Sequence, residues 1–443
     1  MSWIACHPVA LCRSRGGESR VAGADLARLG VLGRRFFHNV ANRCDECKIT
    51  SRLRSKRRLR SGRRDCALTR LFLMQIKPFR IEHYFAKYEF SAKYLLSSSD
   101  AESRTIQELL DLEPGAAERF HEHWCGYTES AGAPWLREAI AGIYKQIKPD
   151  DVLVLAAAEE GIFVFYHALV GPKDHVIVET PCFESALEIA RSTGAQVNEW
   201  RRSAEKGWSH DLAALEKLIQ PNTKIIYINT PHNPTGLLMP PKVLQQVVAL
   251  AASRGIIVFS DEVYRELEHD PNQRLPAACD IYEHAVSLGS MSKTYGLPGL
   301  RLGWLASRDV EIIRRCLEFK YYTTICSSAP SEFLSALALR HREKLVDRNL
   351  EIVRKNLPLL DSFIKRRSDL FEWVKPDSSP TDFVRFKPER GVLNFCEEVV
   401  RDCSVMLLPG TVYDQPQHIR FGFGRKNMPE ALNQLDSYLS KNF

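Results

Sequence analysis

From Asp151 to Ala306 the chain repeats one rhythm, a short apolar run followed by a longer stretch with apolar residues at helical spacing. The runs are VLVL (Val152 to Leu155), HVIVE (His175 to Glu179), KIIYIN (Lys224 to Asn229), GIIVFS (Gly255 to Ser260), HAVSL (His284 to Leu288) and LGWLA (Leu302 to Ala306). A strand with one wet face alternates polar and apolar residues, whereas a strand covered on both faces reads apolar nearly throughout. These runs therefore predict buried strands, and stretches such as Pro241 to Ser253 predict the crossover helices of an α/β domain with a mostly parallel central sheet.

The flanks extend this frame. Pro134 to Gln146 predicts a helix opened by Pro134. Val310 to Phe319, Ser328 to His341 and a long stretch, Arg342 to Arg367, predict helices leading into a smaller α+β part. That part ends in strand-like VMLLP (Val405 to Pro409) and HIRFGFG (His418 to Gly424), then a helix from Pro429 to Leu439. The expected organisation is a basic, disordered extension over 1–73, an arm and part of a small domain over 74–124, a large domain over 125–325 and a small C-terminal domain over 326–443.

Charge follows the same division. Residues 1–73 hold 17 Lys and Arg against 5 Asp and Glu, while the remainder holds 44 against 49. The net charge of +7 thus hides a mildly acidic body, which argues against a nucleic-acid partner. The run from Arg52 to Arg64 reads as a nuclear-targeting or nucleic-acid-contacting segment, as an organelle transit segment, or as part of a stretch before the true start near Met74. No apolar run reaches the length that spans a bilayer. The scattered cysteines suit a reducing compartment, and the lone CxxC of Cys44 and Cys47 has no second pair for zinc. A cytoplasmic protein is expected, or a mitochondrial one if 1–73 is a transit segment.

Ligands of open α/β sheets bind beyond the carboxyl ends of the strands. Three predicted strands run into polar clusters: KIIYIN into TPHNPTG, GIIVFS into DEVY, and HAVSLGS into MSKTYGLPGLR. Parallel strands bring Asn233, Asp261, Tyr264, Ser290, Lys293 and Arg301 to one edge. That set suits a phosphorylated pyridine aldehyde. Lys293 supplies a primary amine for an imine, provided the site favours its neutral form over the ordinary pKa of about 10.4. Asp261 supplies a carboxylate for the pyridine nitrogen. Asn233 and Tyr264 are donors for the ring oxygen. Ser290, Arg301 and the turn AAAEEG (Ala156 to Gly161) suit a phosphate dianion. Singly, each has a plainer reading: Lys293 as a solvated lysine, Asp261 as a helix N-cap, Asn233 as turn chemistry. Arg301 and Arg420 both lie among apolar residues and glycines, which predicts a buried anionic partner for each.

TPHNPTG, SDEVY and SMSKTYGLPGLRLGW together resemble the class I/II aminotransferases, pyridoxal 5'-phosphate (PLP) enzymes of fold type I. The resemblance covers roughly Met74 to the C-terminus. It implies a Lys293 Schiff base, Phe183 stacked on the pyridine, and backbone amides of Ala158 and Glu159 holding the phosphate. It also implies Tyr127 reaching the phosphate of a neighbouring subunit, hence a homodimer, and Arg420 gripping the substrate carboxylate. The substrates it implies are an amino acid and a 2-oxo acid.

The sequence departs from the family in three places. Ala157 stands where a glycine is usual. Glu159 stands where a hydroxyl is common, so its side chain is expected to point away from the phosphate. Leu96 to Ser103 (LSSSDAES) replaces a Gly-Glu-Pro pattern. The segment from Lys320 to Phe333 carries Tyr322 and Thr323 where dicarboxylate-specific relatives carry arginine, which points to a neutral or aromatic donor; Arg385 is either a pocket residue or an exposed strand residue. Tyr321 to Glu332 also resembles the cyclising, capreomycidine synthase-like branch of the fold, so elimination or cyclisation is the alternative chemistry. A transcription regulator with such a domain would need a DNA-binding module, for which residues 1–73 lack apolar helical periodicity.

Overall fold

The computed structural model describes residues 76–443. The basic extension expected over 1–73 lies outside them. Seven strands form the large sheet: β1 (Val152–Leu155), β2 (His175–Thr180), β3 (Gln196–Arg201), β4 (Thr223–Asn229), β5 (Ile257–Asp261), β6 (Ala285–Ser290) and β7 (Gly303–Ala306). Their spatial order is β1-β7-β6-β5-β4-β2-β3, and only β7 runs against its neighbours. The α/β class and the mostly parallel sheet expected from the apolar runs are present.

The reason is burial on both faces. Every residue of β1, β2 and β6 is buried. One face packs on a core that includes Val154, Phe165, Tyr227, Phe259 and Leu288. The opposite face packs on Ile177, Ile226, Val258 and Ala285 with the helix Pro241–Ala252. Burying an aliphatic side chain contributes about 1.5–3 kcal/mol, so a strand slipped by one residue forfeits several such terms at once.

β3 was not expected. Its sequence, QVNEWR, is mostly polar because it is an edge strand left half-covered, with only Trp200 fully enclosed, whereas β1 at the opposite edge is covered throughout and is apolar.

The C-terminal part has a four-stranded antiparallel sheet of β8 (Phe371–Glu372), β9 (Thr381–Phe386), β10 (Leu408–Pro409) and β11 (His418–Gly422), in the order β10-β11-β9-β8. It packs on its own core, which includes Phe363, Phe371, Phe395, Ile419 and Phe421. The long helix expected to lead into it spans Arg342–Arg366, with Pro358 inside.

Two further features place the site. Helix α1 (Arg80–Tyr88) is pinned at its start, where the backbone N–H of Arg80 donates to Glu184 at 2.8 Å and the Arg80 guanidinium donates to Asp414 at 2.7 Å. Tyr94–Leu95 pairs in parallel with Val405–Met406. That pairing lays the following segment, Leu96 to Glu102, along β11: Gly422 N–H donates to Leu96 O at 2.8 Å, and Glu102 N–H donates to Gly424 O at 2.9 Å.

Candidate active site

The parallel strands β1, β2, β4, β5 and β6 all end at one edge of the sheet, where the antiparallel β7 begins. Register makes this specific. Asn229 lies beside Asp261, Asp261 beside Leu288, and Ser290 beside Gly303. The last residue of each buried strand therefore faces the same space.

Asp261 is buried at the end of β5. Its carboxylate accepts from Tyr227 OH at 3.0 Å and from the Val263 N–H at 3.2 Å. Burial pushes the carboxyl up to about 6, against the Val263 and Tyr227 hydrogen bonds and the Lys293 charge. A buried acid held near neutrality is poised to ionise against a cationic partner.

Lys293 follows β6 and is partly buried, its amine donating to Ser99 Oγ at 2.9 Å. Burial lowers its pKa, Asp100 raises it and Arg420 lowers it again. The amine thus moves toward the neutral form that a nucleophile needs.

Arg420, on β11, is 1% exposed. Its guanidinium donates to Ser97 O at 2.8 and 3.2 Å, to Tyr413 OH at 2.6 Å and to Asn233 Oδ1 at 3.3 Å. The rings of Phe85 and Tyr413 lie 5.8 and 5.9 Å from it. Among the described residues it has no carboxylate partner. An uncompensated buried charge is costly, so this is a place made for an anion.

Asn233 joins the two parts. Its N–H donates to Asn229 Oδ1 at 2.7 Å, and its side-chain oxygen accepts from Tyr413 and Arg420, both at 3.3 Å. Among the described residues the buried Tyr264 OH makes no well-formed hydrogen bond, although the Ser99 hydroxyl is near enough to lower its phenol. Burial raises its phenol and Arg420 pulls it back. Such an orphan hydroxyl fits a ligand oxygen.

The turn after β1 differs from this centre. Helix α2 (Ala157–Leu169) starts at the sheet edge without a side-chain cap on its free amides. Ala157 has φ +73°, the left-handed region that glycine takes without strain. The Glu160 carboxylate turns back to accept from Ala156 N–H at 2.5 Å, and also accepts from Thr323 and Thr324 hydroxyls at 2.5 and 2.8 Å. Ala158 is partly buried at the helix start. Glu159 lines a largely apolar cavity of about 420 Å³ with Phe79, Phe163 and Ile189, and burial pushes it up to about 7. Burial thus works against the carboxylate form of Glu159. The free amides of the helix start and the neighbouring Ser290 could hold a phosphate. Ser290 is buried and accepts from Ser292 N–H at 3.1 Å.

The edge brings together Asn233, Asp261, Tyr264, Ser290 and Lys293. Arg301 is placed at the edge but corrects one expectation. It is exposed, in the left-handed region at φ +47°, with its guanidinium donating to Pro298 O at 3.0 Å. The glycines beside it reflect chain reversal into β7 rather than enclosure. Phe183 caps helix α3 (Glu184–Ser192), half-buried, its ring 5.1 Å from that of Phe79 and tilted by 58°. Tyr127 is 85% exposed, so it reaches no site of its own chain. Tyr322 is exposed and Arg385 is an exposed strand residue.

Ser97, Ser99, Tyr227 and Tyr413 were missed. Tyr227 left a signal as a hydroxyl in an otherwise apolar strand two residues before Asn229, and Ser97 and Ser99 lie in the departing segment Leu96 to Ser103.

Fold and site together define a PLP-dependent enzyme of fold type I. The chain belongs to the aminotransferases of class I and II, whose family profile matches residues 94–435. It is similar to capreomycidine synthase of Streptomyces vinaceus, at 27% identity over 345 residues, covering 77% of this chain and 88% of the relative. It is similar to aspartate aminotransferase of Thermotoga maritima, at 27% identity over 330 residues, covering 71% and 83%. Among solved structures, a PLP-dependent aminotransferase from Streptococcus suis aligns with TM-score 0.79 and 29% identity, covering 83% of this chain and 99% of that one. The PLP-dependent cyclase OrfR aligns with TM-score 0.78 and 26% identity, covering 85% and 100%.

Proposed function

We propose that this chain is a PLP-dependent aminotransferase that moves an amino group from an L-amino acid, neutral or aromatic, to a 2-oxo acid, with Lys293 joined to the cofactor. One observation carries the reading: Arg420, buried and without a carboxylate partner among the described residues, shares an interior with a lysine amine shifted toward neutrality and a buried carboxylate. When bound, PLP supplies an electron sink for the bond broken at the substrate's α-carbon. The residues divide the remaining work. Asp261 is the carboxylate for the ring nitrogen, and Tyr264 and Asn233 are hydroxyl and amide for the ring oxygen. Phe183 offers an aromatic face. Ser290, Arg301 and the amides of Ala158 and Glu159 hold the phosphate. Arg420 binds the substrate carboxylate, and the Lys293 amine takes and returns the α-proton.

The neutral or aromatic donor rests on the segment Lys320 to Phe333, which carries no arginine. The exposed rings of Trp124, Tyr127 and Tyr322 support a homodimer in which Tyr127 serves the neighbouring site. The two sheets have separate cores, but that of the large sheet runs past 326 to Leu334, Leu337, Leu345 and Leu350, and that of the small sheet resumes at Val353, so the boundary expected between 325 and 326 moves into the helix Arg342–Arg366.

Cyclisation or elimination is the second reading, favoured by the likeness to capreomycidine synthase and to a cyclase over most of both chains. Purified protein with PLP is expected to show a bound-cofactor absorbance band and to convert a donor amino acid beyond one equivalent per site only when a 2-oxo acid is present. Lys293→Ala should lose the band and at least about 10⁴-fold in turnover. A colourless wild type, or a band that survives the substitution, refutes the assignment. Product formed in many-fold excess over enzyme without an acceptor selects the cyclase or lyase reading.

A further inference from the structure

Ser99 lies in the segment where the sequence departs from its family, and no role has been given to it. The backbone there has little freedom. A Cβ at Gly422 would stand 1.9 Å from Ser98 O, and one at Gly424 would stand 2.4 Å from Asp100 O. The segment is thus seated directly on the backbone of β11 and its extension, at positions that only glycine permits. Asp100, buried next to Ser99, accepts from the Arg425 guanidinium at 3.0 and 3.1 Å and ties the segment a second time. Ser97 and Ser99 are two residues apart. The carbonyl of the first holds Arg420 and the hydroxyl of the second accepts from the Lys293 amine. One fixed segment therefore touches both the cation for a substrate carboxylate and the amine that works at the adjacent carbon.

We infer that Ser99 is a catalytic residue that orients the free Lys293 amine and stabilises its protonated form during proton transfer at the substrate's α-carbon. The inference rests on the PLP-dependent reading above. It is in its free form that the Lys293 amine acts as base. Accepting one N–H fixes the rotation of the amine and directs its lone pair away from Ser99. The lone pair takes the α-proton, the electrons of the C–H bond stay with the substrate, and the amine becomes an ammonium. Ser99 Oγ then accepts from a charged donor, and that hydrogen bond is stronger than the one to the neutral amine. Returning the proton reverses each step, so no other reactant is needed. The charges that face this amine also include Asp100 and Glu82, which favour the ammonium, and Arg420 and Arg425, which oppose it. Tyr264 OH lies on the Ser99 side, and Asp261 interacts with the amine through its charge. Ser99 is the group in hydrogen-bond contact.

The test compares the wild type, Ser99→Ala and Ser99→Thr. In the cofactor-free full chain, the pH dependence of Lys293 labelling by trinitrobenzenesulfonate is read by peptide mass spectrometry. Loss of an acceptor for the ammonium is expected to move the labelling midpoint down by about one pH unit in Ser99→Ala, with Ser99→Thr near wild type. In the loaded protein, exchange of the substrate α-hydrogen with deuterated water is expected to slow roughly tenfold in Ser99→Ala and to recover in Ser99→Thr, while the cofactor band keeps its intensity. An unchanged midpoint, or unchanged exchange, in Ser99→Ala overturns the role of Ser99 alone. A wild type that binds no cofactor and exchanges no α-hydrogen overturns the functional reading and this role with it.

Discussion

The centre around Lys293 and the turn after β1 handle charge in opposite ways. In the centre, side chains do the work: Asp261, Lys293 and Arg420 are of unlike charge, and each is held by hydrogen bonds from residues far away in sequence. At the turn the backbone does the work. The helix start presents amides, while the side chains of Glu159 and Glu160 carry the wrong sign for an anion. The turn tolerates them because Glu160 is spent on Ala156 N–H and two threonine hydroxyls, and Glu159 gives up its charge near neutrality. Residue identity should therefore be decisive in the centre and forgiving at the turn.

The largest expected break is at Asp261. Asp261→Asn keeps the shape and removes the charge, so turnover should fall about 10²- to 10³-fold while the cofactor band persists. Steady-state rates with absorbance spectra check this, and a loss under threefold would place the controlling charge elsewhere. Glu159→Gln should act on stability instead. The Glu159 pKa rises from 4.5 to about 7, so the folded state keeps a proton that the unfolded chain releases. Its contribution to stability is complete below 4.5 and is lost as pH climbs through about 7. Wild type should therefore lose about 1–2 kcal/mol across that window relative to Glu159→Gln. Urea unfolding of both proteins at pH 4.5, 6 and 8 measures it, and parallel pH profiles would show that Glu159 is not buried enough to matter. The smallest effect is at Ala157. A left-handed alanine costs about 1–2 kcal/mol. Ala157→Gly should therefore be less destabilising, by about that amount, than Ala190→Gly, which removes a buried methyl from the regular helix α3. Equal losses at the two positions would contradict the strain assigned to the turn.

The first of these substitutions was legible from the sequence and the last was not. Asp261 ends an apolar run, and a carboxylate at the end of a doubly buried strand is informative by itself. Asn233, Ser290 and Lys293 stand in the same relation to their strands. Ala157 could be marked as a departure from a glycine, but its dihedral angle could not be read. The enclosure expected for Arg301 failed because glycines around an arginine are equally the signature of a sharp reversal. The polar strand β3 was invisible because an edge strand need not be apolar.

What the amino-acid order determined was the sheet and the residues delivered to its edge, because burial on two faces leaves a local pattern and strand ends inherit a shared direction. What only the tertiary structure decided was how the C-terminal part closes over that edge. Ser99 meets Lys293 across 194 residues, and Arg420 meets Asn233 across 187. These contacts depend on the seating of β11 against Leu96 to Glu102 and on the pairing of Tyr94–Leu95 with Val405–Met406. Periodicity reports which face of an element is covered. It carries no term for what a distant segment sets down upon it.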